Sequence, residues 1–384
     1  MVNNAQPIKI QRQSNIELYR IITMLFIIAH HYVVNSGLTG VDGPIYGNYL
    51  APRSIFLLLF GAWGKTGINC FVIISGYFMC KSKITANKLF KLLFEWIFYR
   101  MVINGLYWIT GYHTYTLRSY LNWLIPFKSV GQNFTGTYVL FFLCIPFLNK
   151  LVANLSEIEH LRLILLGTFI YVFFETMPSF SVDMNYVSWF VVLFFIASYI
   201  RLYPKPIFNN KKFWGIATLI AMGLSSASVI FCSYLGQRTG RYMSFALVTD
   251  SNTFLALLTS VCSFLYFKNV NLKYNKYINL ISSTTFGVFL IHTTGDTTRK
   301  WLWRTFLNNV GMYDSPYMPL HAIGSVFLVF AVCCCVDLLR MRFVERPFFK
   351  CWNKVWSKVA VGYDTLEYRF CKKFQIHNEA DNKK

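Results

Sequence analysis

A chain of 384 residues that is 55% hydrophobic, only 14% charged and +0.42 in mean hydropathy does not divide into soluble domains; it reads as an integral membrane protein. Its formal net charge of +21 lies as Lys and Arg between apolar stretches rather than in one basic domain, which excludes a nucleic-acid binder. The 10 cysteines follow no metal-ligand or disulfide spacing and are read as small apolar packers.

Hydropathy marks ten candidate spans, at 17–36, 54–79, 88–110, 135–153, 161–178, 185–201, 212–235, 250–267, 279–293 and 319–339. The predicted fold is therefore all-α, a polytopic membrane bundle of about ten transmembrane helices. The polar first 15 residues and the absence of a small-residue cleavage site predict that the first span is retained. The ninth span is short and irregularly flanked, so it is expected to tilt or to be partly re-entrant. The membrane domain is placed at 1–349, and the basic, partly aromatic tail at 350–384 is expected to lie on anionic headgroups. Lys81, Lys83, Lys88 and Lys91, then Lys205, Lys211 and Lys212, then Lys268, Lys273 and Lys276, and the tail from Arg340 fall on one set of alternating segments. The segments 37–53, 111–134, 236–249 and 294–318 and the turn Ser179–Met184 are poorer in positive charge, which predicts that both termini are cytoplasmic.

The first span carries polar groups where a bilayer penalises them: Glu17, Arg20 and the pair His30-His31. At about 100° per residue, Arg20 and His31 lie about 20° apart on one face, roughly 17 Å apart along the axis. That stripe should face protein or a wet cavity. Imidazole is able to take a proton from an alcohol near neutral pH, which makes His31 the candidate base; its alternative is a histidine that holds the bundle through a carbonyl on the next helix. The guanidinium of Arg20 suits phosphate or carboxylate, or an ion pair with Glu17 at i,i+3. His30 points about 80° from Arg20 and reads as a structural neighbour.

In the second span, Gly64, Gly67, Ser75 and Gly76 allow close helix approach. Lys65 and Asn69 share a face and either bond each other or line the cavity. Glu95, Glu175 and Asp337 are expected to partner buried cations. The ninth span ends on His292, with Asp296 one turn on, which by itself reads as interfacial. Beyond it, Trp301, Trp303 and Arg304 form an external cluster that either stacks on sugar rings or anchors at the interface.

Glu17-Leu-Tyr-Arg20 followed by ten residues and His31, Gly67-Ile-Asn-Cys-Phe-Val-Ile-Ile-Ser-Gly-Tyr77, Phe286-Gly-Val-Phe-Leu-Ile-His292 and Val344-Glu-Arg-Pro-Phe348 resemble the integral-membrane acyltransferase 3 family in order and spacing. The resemblance covers nearly the whole chain. It implies a bacterial O-acyltransferase of the cell membrane, acyl-CoA (acetyl-CoA first) as donor substrate with no bound cofactor, a surface glycan or lipid-linked sugar as acceptor, and Arg20 and His31 as the essential pair. The sequence departs from the family where Asn69 replaces a frequent acidic residue and where Thr137-Tyr-Val-Leu-Phe lacks a tryptophan. With no appended esterase-like domain, transfer is expected from this chain alone or with a separate protein. The rival reading is a permease or flippase for a lipid-linked saccharide, in which the same polar stripe forms a translocation path without covalent chemistry.

Overall fold

The computed structural model describes residues 12–124, 134–177 and 185–356. In chain order the helices are α1 (Ser14–Val34), α2 (Pro52–Gly61), α3 (Gly64–Met79), α4 (Ala86–Ile109), a short α5 (Leu117–Leu121), α6 (Phe134–Asn154) and α7 (Glu157–Thr168). A π-helical turn, Phe169–Phe173, joins α7 to α8 (Phe174–Thr176). Then come α9 (Tyr186–Leu202), α10 (Lys211–Thr239), α11 (Phe254–Lys268), α12 (Lys276–Ser282), α13 (Thr285–Thr293), α14 (Asp296–Lys300) and α15 (Met318–Arg340). No strand occurs among the described residues, so the all-α expectation holds.

Among the described residues, five helical stretches are long and apolar enough to cross a membrane: Ser14–Val34, Pro52–Met79, Phe134–Asn154, Lys211–Thr239 and Met318–Trp356. The remaining expected spans also fall on helices, but α9 and α11 are shorter and α4 carries Lys88, Lys91, Glu95 and Arg100. Two of the expected spans are interrupted. The ninth divides at Ser283 and Thr284, whose hydroxyls donate to the carbonyls of Leu280 and Ile281 and so compete with the helical ladder. The second bends at Ala62-Trp63, between two glycines that α1 approaches closely. The turn Ser179–Met184 and most of the basic tail lie outside the described residues; Lys350 to Trp356 are helical or lead into helix.

The chain forms two compact units, Met1–Cys333 and Cys334–Lys384. In the first, α1 is the central element and packs on α2, α3, α11, α12 and α13. Its first turns are tied by side chains to the end of α11 and to α12: Asn15 Nδ2 donates to the carbonyls of Phe267 and Lys268, and Ser14 bonds the Asn279 side chain. Tyr19 stacks on Phe267 at 4.7 Å and shares a 2.7 Å hydrogen bond with Ser263. Beside α1, helices α3, α6 and α9 enclose an aromatic core containing Phe141, Trp189, Phe190 and Phe194, all fully buried. Most of the buried surface of these helices is apolar, so packing and shape rather than sequence-local propensity fix their order. In the second unit, Arg340 pairs with Asp337 and with Glu345, each at 2.7 Å and all buried, so Asp337 has the cationic partner expected of it.

The glycines of α3 set its distance from α1. A Cβ at Gly67 would stand 2.8 Å from Ile27 Cγ1, and one at Gly64 would overlap the His30 ring. Gly64→Ala is therefore expected to destabilise the protein by about 1–3 kcal/mol, the usual cost of overpacking. A lower unfolding midpoint in detergent measures this, whereas an unchanged midpoint would show that His30 has room to move.

Candidate active site

The C-terminal half of α1 opens on a cavity of about 440 Å³ whose lining includes His31, Lys65, Arg100, Tyr186 and Arg299. Helices α1, α3, α4, α6, α9 and α13 all contribute to its wall. The polar stripe of α1 thus faces protein and a cavity, as its composition required.

His31 Nδ1 lies 3.0 Å from His292 Nε2, and His292 Nδ1 lies 2.6 Å from the Val288 carbonyl oxygen. These two contacts assign the neutral tautomers. A carbonyl only accepts, so His292 carries its proton on Nδ1 and presents a lone pair at Nε2. His31 must then donate from Nδ1, which leaves a lone pair on its own Nε2, the geometry of a proton acceptor. His292, expected at an interface, is instead almost wholly buried and orients His31. His30 bonds the Gly61 carbonyl through Nδ1 at 2.6 Å and holds α1 against α2, in keeping with its expected structural role, although its ring also borders the cavity.

Arg20 lies outside the lining of this cavity. Its Nε is 3.9 Å from Glu17 Oε2, a loose ion pair, and makes no hydrogen bond to the described residues. The guanidinium stands over the Phe71 ring at 5.8 Å, with 24% of the side chain exposed. Glu17 also accepts from the Ser282 hydroxyl, which fixes the carboxylate between α1 and α12. The single wall expected to carry Arg20 and His31 into one cavity is therefore a shared helix face with the two groups in separate surroundings. Ile27 forms the cavity end nearest Arg20, and the buried hydroxyl of Thr23 lies between them with no partner among the described residues.

Lys65 and Asn69 do not bond each other. Lys65 borders the cavity and donates to the Tyr186 hydroxyl at 2.7 Å. Asn69 is fully buried away from it, donating to the Ser251 carbonyl at 2.6 Å and accepting from Trp189 Nε1 at 2.9 Å. Ser75 is likewise internal, bonded to the Phe71 carbonyl and to the Tyr138 hydroxyl.

The segment 294–318, expected as an external loop, begins with α14 and a π-helical turn, Trp301–Phe306. Trp303 is 0% exposed and packs edge-on against Tyr32 at 6.0 Å, so it is a core residue and has no face left for a sugar. Three residues beyond the turn, Asn309 Nδ2 donates to the Tyr32 carbonyl at 2.9 Å, near the end of α1. Trp301 stacks on Phe306, and the exposed Arg304 lies over Gly37; neither lines the cavity.

Tyr186 and Arg299 carry no motif and escaped the sequence reading as site residues. Helical spacing from His292 does not point to Arg299, because the extended backbone at Gly295 separates α13 from α14. Asn69→Leu should lower stability by about 1–3 kcal/mol for each buried partner left unsatisfied, Ser251 and Trp189. Thermal unfolding in detergent checks it; an unchanged midpoint would mean that water replaces the amide.

A family model described as an acyltransferase domain matches residues 13–339. No curated protein and no solved structure matches the chain.

Proposed function

The chain belongs to the acyltransferase 3 family of integral-membrane acyltransferases, and on that footing we propose that it moves an acyl group, acetyl in the first instance, from cytoplasmic acyl-CoA to a hydroxyl of a cell-surface glycan or glycolipid. The observation that supports this best is the ordered hydrogen-bond series from the Val288 carbonyl through His292 to His31, which leaves an imidazole lone pair at a cavity.

In the proposed reaction the acceptor hydroxyl lies against His31 Nε2. Its oxygen attacks the thioester carbonyl carbon, forming the C–O bond as its proton passes to His31. The C–S bond then breaks and the proton returns to the departing thiolate, so that free coenzyme A thiol leaves and His31 is neutral again. Arg20, on the same face and roughly 17 Å along the axis, serves the donor. Its loosely paired guanidinium is suited to bidentate phosphate, and the separation matches a long pantetheine arm reaching towards His31. The excess of Lys and Arg on one set of segments supports an orientation with both termini and the donor entry on the cytoplasmic side of the cell membrane.

His31→Ala should lower kcat by about 10²–10⁴-fold, the usual contribution of a positioned base. The assay is transfer of labelled acetyl from acetyl-CoA in membranes, and undiminished turnover in a correctly inserted variant removes His31 from the mechanism. Arg20→Lys should raise KM for acetyl-CoA despite keeping the charge, because an ammonium lacks the planar fork; a wild-type KM contradicts the role. His292→Phe should reduce kcat by at least about tenfold with both KM values little changed, because the His31 tautomer is no longer fixed. A rise in KM without a fall in kcat would make His292 a packing residue only.

A further inference from the structure

The cavity beside His31 has a one-sided charge balance. Lys65 and Arg299 both line it, and among the described lining residues there is no Asp or Glu. Lys65 is held by a neutral phenol, that of Tyr186. Arg299 pairs through Nη1 with Asp296 Oδ1 at 3.1 Å, but the Asp296 side chain is 84% exposed, so water screens that pair. The Arg299 Nε is buried and has no hydrogen-bond partner among the described residues. Lys65 and Arg299 line the same cavity as His31. Lys65 is part-buried, and a part-buried cation without counter-charge is costly. Proton uptake by His31 during acyl transfer adds another positive charge to the same space, and an anion bound there offsets it.

We propose that the acceptor is anionic: a hydroxyl-bearing sugar with a carboxylate or phosphate beside the reacting position, its anion held by Lys65 and Arg299 while the hydroxyl meets His31. The proposal rests on the acyl-transfer reading with His31 as base. Phosphates of the donor share this chemistry, but Arg20, the cation assigned to them, stands roughly 17 Å away along α1, so the cavity cations belong to the acceptor. The guanidinium of Arg299 supplies a fork for either anion, and Lys65 supplies a point charge.

The test uses the purified full chain in an uncharged detergent at low salt, with binding read by isothermal titration so that no turnover is needed. The anionic probes are methyl β-D-glucuronide and glucose 6-phosphate, with methyl β-D-glucoside as the neutral control. At least one anionic probe should bind about tenfold or more tightly than the control, a preference weakened by added salt. Lys65→Met and Arg299→Met should each reduce that preference, Lys65→Arg should retain it, and acetyl-CoA affinity should stay at the wild-type value in all three. Equal binding of all three sugars to the wild-type chain, a measurement that needs no variant, overturns the proposal. So does loss of acetyl-CoA affinity in the Met variants with the sugar preference intact, which would give these cations to the donor. A protein that prefers an anionic probe yet transfers no acetyl group would refute the acyl-transfer reading and leave the anion subsite standing; one that transfers acetyl with no charge preference does the reverse.

Discussion

The hydrogen bond between His31 and His292 joins the two ends of the described membrane domain and gives one imidazole its direction. Its polarity is decided by a backbone atom, the Val288 carbonyl, which cannot donate and so forces the proton of each ring onto Nδ1. No carboxylate takes part, so the arrangement orients a base without adding a buried negative charge. The rest of the bundle holds the geometry in place. His30 is fastened to the Gly61 carbonyl, Tyr32 to His321 at 2.8 Å, and the last turn of α1 to Asn309. A rotation of α1 by one residue, about 100°, would break all of these at once. The axial orientation of this helix is thus fixed by several long-range polar contacts, in a medium where such contacts have no water to replace them.

Charge is arranged differently at the two ends of α1. Towards its N-terminus a carboxylate, Glu17, is held by Ser282 and stands near Arg20, so a cation there has a partner within the protein. Around His31 the lining is cationic, with neutral Tyr186 as the partner of Lys65. The first environment tolerates an arginine in the absence of substrate; the second is better balanced when an anion occupies it. One helix therefore serves two electrostatic settings, with Ile27 and Thr23 on the stretch of helix between them.

Much of this was legible in the sequence. The apolar runs, the polar stripe of α1 and the small residues of α3 follow from composition and from the helical period, which are local properties. The short, irregularly flanked ninth span pointed to tilt or partial re-entry, but not to the break at Ser283 and Thr284. What the sequence concealed were partners set by long-range packing. Asn69 has the spacing of a cavity residue relative to Lys65, but its amide is consumed by Ser251 and Trp189, some 182 and 120 residues away in the chain. Trp303 sits in a segment whose tryptophans and charges read as exterior, and a π-helical turn carries it into the core. His292 has the local signature of an interfacial residue, and only its distance to His31 reveals its use.

Those two imidazoles are separated by 261 positions in the chain. A ribosome adding roughly 5–20 residues per second leaves His31 in or beside the bilayer for some tens of seconds before His292 exists. During that interval the polar face of the first helix must be sheltered by the translocation machinery, by water or by helices made early, and α2 and α3 are the first available. Biogenesis therefore has a late checkpoint. A nascent chain arrested before α13 would contain most of the membrane-embedded mass of the protein, yet its first helix would still display an unmatched histidine, a feature that quality-control proteases of the membrane are placed to sense.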